Sequence, residues 1–410
     1  MKTLSKFFSK NKFNLFQNIF DKLFSFFLFL YIARKFPSEI YGELIALMAL
    51  SYIIVSFFDF GLPVFFQRDV SQAKKIGSAY KTSLLLYVMI FPLYFALCFI
   101  YAEYFQPFSS VIIFIAIALS SYLSLYLNMM SKIVSGMLDF KAQFYFLIIS
   151  RCLFAALPAA YFLNFNVSIE SVVIVLLLSY LLNLIFLYTY IEKNLLQEAK
   201  EKIDFKLLGS IIKISIPLGI IVLVNLMYDR VDVLLISKLL SYSDTGKYNI
   251  AYGLLKASTL SFSFILIEGF SKVSYLSRRI SSVSLFLKKY AKIVLTVSAG
   301  AMLILFFAPD ILVVFFYSAK YAESSALLKL LSFAVIPLAL NNLTGIALNA
   351  LGKFNFVLIA VTAGLITNVA LNIILIPKIG LVAACYSTII TEIVVLILES
   401  AFLVKVLRYR

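Results

Sequence analysis

Asn225, Asp229 and Asp232 stand at i, i+4 and i+7 in the apolar stretch Ile214 to Tyr252, so one amide and two carboxylates share a helix face. Carboxylates so placed can hold a cation or exchange protons, and Arg230 adds a fixed positive charge about 100° off that face. An ionised group at the centre of a membrane-spanning helix costs about 2.5–3.5 kcal/mol on insertion scales, so it faces a polar cavity or a partner. The stripe is therefore expected to line a water-accessible path. Arg151 sits near the middle of another apolar run, 143–163, where a guanidinium cannot snorkel to either surface. Arginine stays charged and forks onto oxyanions, which makes Arg151 a candidate anion-binding residue; the bland alternative is a buried pair with a carboxylate.

Further charges fall within apolar runs. Lys22 follows Asp21, and Lys256 shares a helical face with Tyr252, Thr259 and Ser263. These bases either add to a cationic cavity or pair with neighbouring acids, Asp21 for Lys22 and Asp229 or Asp232 for Arg230. Glu392 lies mid-run on a face with Thr388 and Glu399, and a desolvated carboxylate can exchange protons near neutral pH. Asp59 and Glu268 are expected at solvated cytoplasmic ends of equivalent helices, with a gating role as the alternative. Asn341, Asn342, Asn349, Asn368 and Asn372 are expected to hydrogen-bond between helices. Histidine is absent, so any proton coupling must use carboxylates. Cys98, Cys152 and Cys385 are too scattered for a disulfide framework or a metal site. No metal or cofactor is read from the chain.

The elements that position these groups are membrane spans. The chain is 63% hydrophobic and 14% charged, with a mean hydropathy of +1.01, against roughly 45–50% and 25% in soluble domains. Apolar runs of about 20 residues recur along the whole length, which excludes a soluble enzyme on a single anchor. Twelve spans are expected, at 14–33, 42–62, 82–102, 109–129, 143–163, 170–190, 210–237, 247–268, 290–309, 326–349, 355–376 and 380–402. The basic N-terminus reads as the start of a retained first span, since Asp21 and Lys22 interrupt the run and no small-residue cleavage site follows. A net charge of +16 is spread over loops rather than a basic domain, so the anionic inner leaflet, and not nucleic acid, is the expected partner.

Most Lys and Arg outside the spans fall on the side of the N-terminus, including Lys2, Lys6, Lys10 and Lys12, Lys74 and Lys75, and Arg278, Arg279, Lys288 and Lys289. The opposite side holds only Arg34, Lys35, Lys238, Lys247, Lys320 and Lys378, which places both termini in the cytoplasm. The mixed-charge segment 193–208 reads as a cytoplasmic linker between two six-helix halves, 1–192 and 209–410. The halves are expected to be parallel repeats. Asn14, Asn18 and Asp21 repeat the stripe of Asn225, Asp229 and Asp232, and the Asp59-Phe60-Gly61 turn matches Glu268-Gly269-Phe270.

Four stretches carry a likeness to a known family: Ala33 to Leu47 with Asp59 to Ser71; Ser215 to Tyr252; ALNALGKFNF; and Asn368 to Thr388. In this order they resemble the Wzx-like polysaccharide flippases of the multidrug/oligosaccharidyl-lipid/polysaccharide exporter superfamily. Arg34-Lys35-Phe36-Pro37 departs from that pattern, in which a leucine-glycine pair more often precedes the proline. The resemblance implies an all-α integral membrane protein, two V-disposed lobes and alternating access. It also implies translocation of an undecaprenyl-pyrophosphate-linked oligosaccharide, of O-antigen or capsule type, from the cytoplasmic to the outer leaflet of a bacterial inner membrane, with coupling to an ion gradient left open. A polysaccharide polymerase and chain-length machinery are the protein partners so implied. Arg151, with Lys22, Arg230 and Lys256, would then contact the pyrophosphate or a sugar, while Asp21, Asp59, Asp229, Asp232, Glu268 and Glu392 would couple ions or gate. The alternatives are a multidrug or organic-cation antiporter, which calls for an acidic cavity, and a multispanning polymerase or ligase, which calls for a long catalytic outer loop.

Overall fold

The computed structural model describes residues 2–72, 76–105, 108–157, 166–195, 203–259, 261–262, 266, 272–273, 276 and 280–408. Among them all regular structure is helical. Eight helices are long and apolar enough to cross a membrane. They correspond to the second, third, fourth, sixth, seventh, ninth, tenth and eleventh expected spans. The first and twelfth correspond to helices of 34 and 27 residues, both longer than the roughly 20 residues a bilayer requires. The fifth and eighth run in part through residues outside those described, as does the linker at 193–208.

The chain divides into two compact units, the first of residues 1–32 and 47–226, the second of residues 33–46 and 227–410. The first unit takes α1 (Lys2–Lys35) up to Ile32 and α2 (Ser38–Ser56) from Leu47, the residues between belonging to the second unit, and then α3 (Leu62–Ser71), α4 (Gly77–Phe105), α5 (Val111–Gly136), α6 (Phe140–Cys152) and α7 (Ile169–Leu195). The first part of α8 (Phe205–Leu239) completes it. Helix α5 packs against α3 and α7, and α6 against α7.

The expected second span stops short, because the backbone turns at Phe60 and Gly61, which take left-handed φ angles of 51° and 72°. Asp59 fixes the turn by accepting the Gly61 N–H at 3.0 Å. A Cβ on Gly61 would stand 2.3 Å from the Ser215 carbonyl oxygen, and Ser215 Oγ donates to the Phe60 carbonyl at 2.7 Å. Glycine is required here twice over, for φ and for space. Helix α3 then starts on a proline and buries Phe65 and Phe66 while exposing Arg68, an amphipathic turn-around that apolar runs alone do not signal.

The second unit contains the rest of α8, then α9 (Tyr242–Ser258), α10 (Ile280–Phe307), α11 (Pro309–Tyr317), α12 (Glu323–Leu331), α13 (Val335–Ala350), α14 (Phe354–Ile379) and α15 (Val382–Arg408). A 3-10 turn, Ser332–Ala334, joins α12 and α13 into one crossing. Helix α9 starts on Ser241, whose hydroxyl accepts the Asp244 N–H at 3.1 Å. At Gly42 a Cβ would lie 1.7 Å from the Tyr242 carbonyl oxygen, so the starts of α2 and α9 touch through backbone. The ends of α1 and α11 cap each other. Arg34 Nε donates to the Phe316 carbonyl at 2.6 Å and the same guanidinium reaches Phe315, while Lys320 Nζ donates to the carbonyls of Arg34 and Phe36 at 3.1 and 2.6 Å. Carbonyls that a helix end leaves unpaired are thus satisfied without water.

Candidate functional site

In the first unit, Arg151 is delivered by a tightly held helix. Asp139 caps α6 by accepting the Ala142 N–H at 3.0 Å, and Tyr190 of α7 donates to the same carboxylate. Gln143, in the next turn, accepts from Ser135 at 2.9 Å and donates to Ser131, both on α5. With its start anchored on two neighbours, α6 presents Arg151 in its last turn, just before the backbone tightens into a 3-10 turn at Leu153–Ala155. The helical backbone continues through that turn to residue 157, and residues 158–163 of the expected span lie outside those described.

The guanidinium is mostly buried. It donates to Asp21 of α1 at 3.3 Å, and its centre lies 5.1 Å from the Phe24 ring and 5.2 Å from the Tyr180 ring. Two spaces meet at this side chain. One is a polar cavity of about 210 Å³ lined by Gln17 and Asp21 of α1, Ser124, Asn128 and Ser131 of α5, Gln143 of α6, and Tyr180 and Asn183 of α7. The other is an apolar cleft of about 350 Å³ between α1 and the 151–157 segment, lined by Phe20, Phe24, Phe27, Leu28, Tyr31, Phe154 and Leu157. Arg151 borders both.

In the second unit the acids are built into hydrogen-bonded networks. Asp232 is buried; Asn372 Nδ2 donates to its Oδ1 at 2.7 Å, and Tyr248 and Thr388 lie 2.9 and 3.3 Å from its Oδ2. Asn372 also donates to Asn368 Oδ1 at 3.0 Å, while its own Oδ1 is buried without a partner. Polar side chains from α9, α14 and α15 thus converge on one carboxylate of α8. Glu392, also buried, accepts from Asn341 Nδ2 at 2.7 Å, and Thr344 donates to the buried Glu399. Nearer the surface, Asp229 accepts from Lys256 Nζ at 2.6 Å, and that ammonium lies 5.3 Å from the Tyr252 ring.

The expected residues thus separate into groups. Asp21 takes Arg151 rather than Lys22, which is exposed and outside the cavity lining. Asp229 takes Lys256 and Asp232 takes neutral donors, so neither carboxylate bonds to Arg230. The polar stripe of α8 does not face one way: Asp232 is buried, Asp229 is exposed, and Asn225 is exposed and bonds back to the Ile221 carbonyl at 2.7 Å. Asp59, expected at a solvated helix end, is buried because it holds the turn after α2; Asn128 Nδ2 is 3.4 Å from its other oxygen. Glu268 and Ser263 lie outside the described residues, as do the side chains of Asn14 and Asn18. Cys98 and Cys385 are buried, but Cys152 is exposed beside the apolar cleft. The cavity-lining Ser124, Asn128 and Ser131 were not singled out from sequence, although their i, i+4, i+7 spacing carries the same signal as the α8 stripe.

A family model described as "Polysaccharide biosynthesis protein" matches residues 12–269. Among solved structures, the chain resembles an inward-facing multidrug resistance MATE family transporter of the MOP superfamily, with a TM-score of 0.72 at 12% identity over 94% of this chain and 95% of that one. It also resembles the lipid II flippase MurJ in an inward closed conformation, with a TM-score of 0.69 at 16% identity over 96% of this chain and 87% of that one. An uncharacterized membrane protein of Methanocaldococcus jannaschii is 28% identical over 110 residues, 27% of this chain and 22% of that protein's length. At these identities the structural likenesses establish the fold, an all-α membrane architecture of two lobes.

Proposed function

We propose that this chain, which belongs to the polysaccharide biosynthesis protein family, is a flippase that moves an undecaprenyl-pyrophosphate-linked oligosaccharide from the cytoplasmic to the outer leaflet by alternating access. The observation that carries this reading is the position of Arg151 between a polar cavity rich in amides and hydroxyls and an apolar cleft rich in phenylalanine. A lipid-linked sugar has the same two-part chemistry, a polar head on an apolar chain, and the bordering guanidinium would contact the head. An organic-cation exporter calls for an acidic cavity, whereas here Asp21 is matched by Arg151. Lys22, Arg230 and Lys256 are secondary in this reading, since Lys22 is outside the cavity and Lys256 is engaged by Asp229.

Transport is coupled, in this reading, through the second unit. Asp232, which accepts from Asn372 and Tyr248 and has the Thr388 hydroxyl beside it, is the carboxylate proposed to exchange a proton or a small cation, and Glu392 is a second acid of the same interior. The protein acts in a bacterial inner membrane with both termini cytoplasmic, next to the polymerase and chain-length machinery that consume its product. The test is a cell lacking its own oligosaccharide flippase. Expression of the chain should restore surface polysaccharide and Arg151→Ala should not, at equal protein in the membrane; no restoration by the unaltered chain counts against the proposal.

A further inference from the structure

Most polar groups lining the first unit's cavity are already committed. Gln143 is engaged by Ser131 and Ser135, Asn128 reaches Asp59, and the Tyr180 hydroxyl lies 3.0 Å from that of Tyr52. Two lining side chains retain a buried atom with no hydrogen-bond partner: Arg151, a donor through Nε, and Gln17, an acceptor through Oε1. A polar partner brought to these two atoms would complete their hydrogen bonding. The guanidinium is held by Asp21 and by the Phe24 and Tyr180 rings, so the direction in which Nε points is fixed before anything binds.

A donor and an acceptor left open together select the chemistry of their partner. A phosphate oxyanion has no hydrogen for Gln17 Oε1, and an ammonium has no lone pair for Arg151 Nε. A hydroxyl serves both, and a sugar ring offers several on adjacent carbons. Charge points the same way. Asp21 and Arg151 are the only ionisable carboxylate and base among the lining residues, and they are 3.3 Å apart, so the cavity holds no surplus positive charge for a pyrophosphate. Size sets the remaining bound: about 210 Å³ is below the roughly 300–1,000 Å³ of pockets that enclose drug-sized ligands, and suits one ring rather than a chain.

We infer that the first-unit cavity is a subsite for a single uncharged sugar ring, whose hydroxyls accept from Arg151 Nε and donate to Gln17 Oε1, and that the pyrophosphate of the carrier is held elsewhere. This rests on the flippase reading and narrows it: the repeat unit carries a neutral hexose or N-acetylhexosamine at the position that enters this cavity. Arg151 then reads a sugar by geometry and does not act as a bare counter-charge.

The test uses the purified full chain in nanodiscs and ligand-observed NMR with methyl glycosides of neutral hexoses and N-acetylhexosamines, methyl glucuronide and inorganic pyrophosphate. At least one neutral glycoside should give a saturation-transfer signal that falls at least tenfold in Gln17→Leu and in Arg151→Met, and pyrophosphate should not displace it. Asp21→Asn, which leaves Arg151 uncompensated, should bring in glucuronide or pyrophosphate competition absent from the unaltered chain. Thermal melting of each variant checks that it is folded, and Gln17→Met replaces Gln17→Leu if the latter melts early. Displacement by pyrophosphate in the unaltered chain, an undiminished signal in a folded Gln17 variant, or no neutral glycoside binding overturns the inference. Lipid-linked glycan flipping measured on the same nanodisc-purified chain after transfer to liposomes separates the two ideas. Flipping without glycoside binding sinks only the subsite, and glycoside binding without flipping sinks the transport reading.

Discussion

Arg151 and Asp232 solve the same problem, a charge inside a membrane protein, in different ways. Arg151 keeps a carboxylate partner, Asp21, and two aromatic rings, while its buried Nε–H has no partner. Lysine cannot copy that fork, so Arg151→Lys should fail almost as completely as Arg151→Ala, with at least a tenfold drop in surface glycan at equal membrane abundance. Glycan output from Arg151→Lys near that of the parent would mean that charge alone suffices. Asp232 is instead ringed by neutral donors, Tyr248, Asn372 and Thr388. Asparagine fills the same space but cannot ionise, so Asp232→Asn should remain folded while its transport no longer responds to an imposed pH or sodium gradient. Asp232→Ala removes the acceptor shared by three buried polar groups, each of which keeps one other partner, and should lower the thermal midpoint, at a cost of about 1–3 kcal/mol in all. An unchanged gradient response in Asp232→Asn would return this carboxylate to a purely structural role.

At the scale of elements, glycines mark where helices meet through backbone. Gly61→Ala forces a Cβ into a left-handed residue and against the Ser215 carbonyl. It should destabilise the protein by at least about 1–3 kcal/mol, read as a lower melting temperature in detergent. Gly209 in α8 has nothing within 4 Å of its would-be Cβ, so Gly209→Ala should be neutral or stabilising by up to about 1 kcal/mol. Equal effects at the two positions would mean that neither the turn nor its contact with α8 matters to stability. The same elements show what sequence can convey. The order of the eight long apolar helices follows from hydropathy, because a bilayer demands about 20 apolar residues whatever their neighbours. Helix ends do not, since the stop after Ser56 is set by two left-handed residues and a carboxylate cap rather than by composition. Arg151 was legible as a functional candidate, yet its partner Asp21 is 130 positions away and its cavity is assembled from four helices. Helical spacing places residues on one face but cannot say which faces meet, and for that reason it does not reveal that Lys22 lies outside the lining of the cavity that Arg151 borders.

For the whole molecule, the distribution of Lys and Arg predicts an orientation with both termini cytoplasmic. In a background with Cys98, Cys152 and Cys385 replaced by Ala, a cysteine at Ser318, near Lys320, should react with a membrane-impermeant maleimide from outside intact spheroplasts. Cysteines at Ser71 and at Lys405 should react only after lysis. The reverse pattern would invert the direction of transport. The two units divide the work in the proposed mechanism: the first holds the sugar at Arg151, and the second carries the coupling carboxylates. The central claim is that this chain moves a lipid-linked oligosaccharide across the bilayer, and reconstitution addresses it most directly. Purified protein is placed in liposomes loaded with a tritiated undecaprenyl-pyrophosphate oligosaccharide, and outer-leaflet label is followed over time by its susceptibility to an added glycosidase. The account predicts that label in the protected leaflet becomes susceptible at least ten times faster with the unaltered chain than with Arg151→Ala or with empty liposomes. A folded, unaltered chain that leaves the protected half untouched would contradict it.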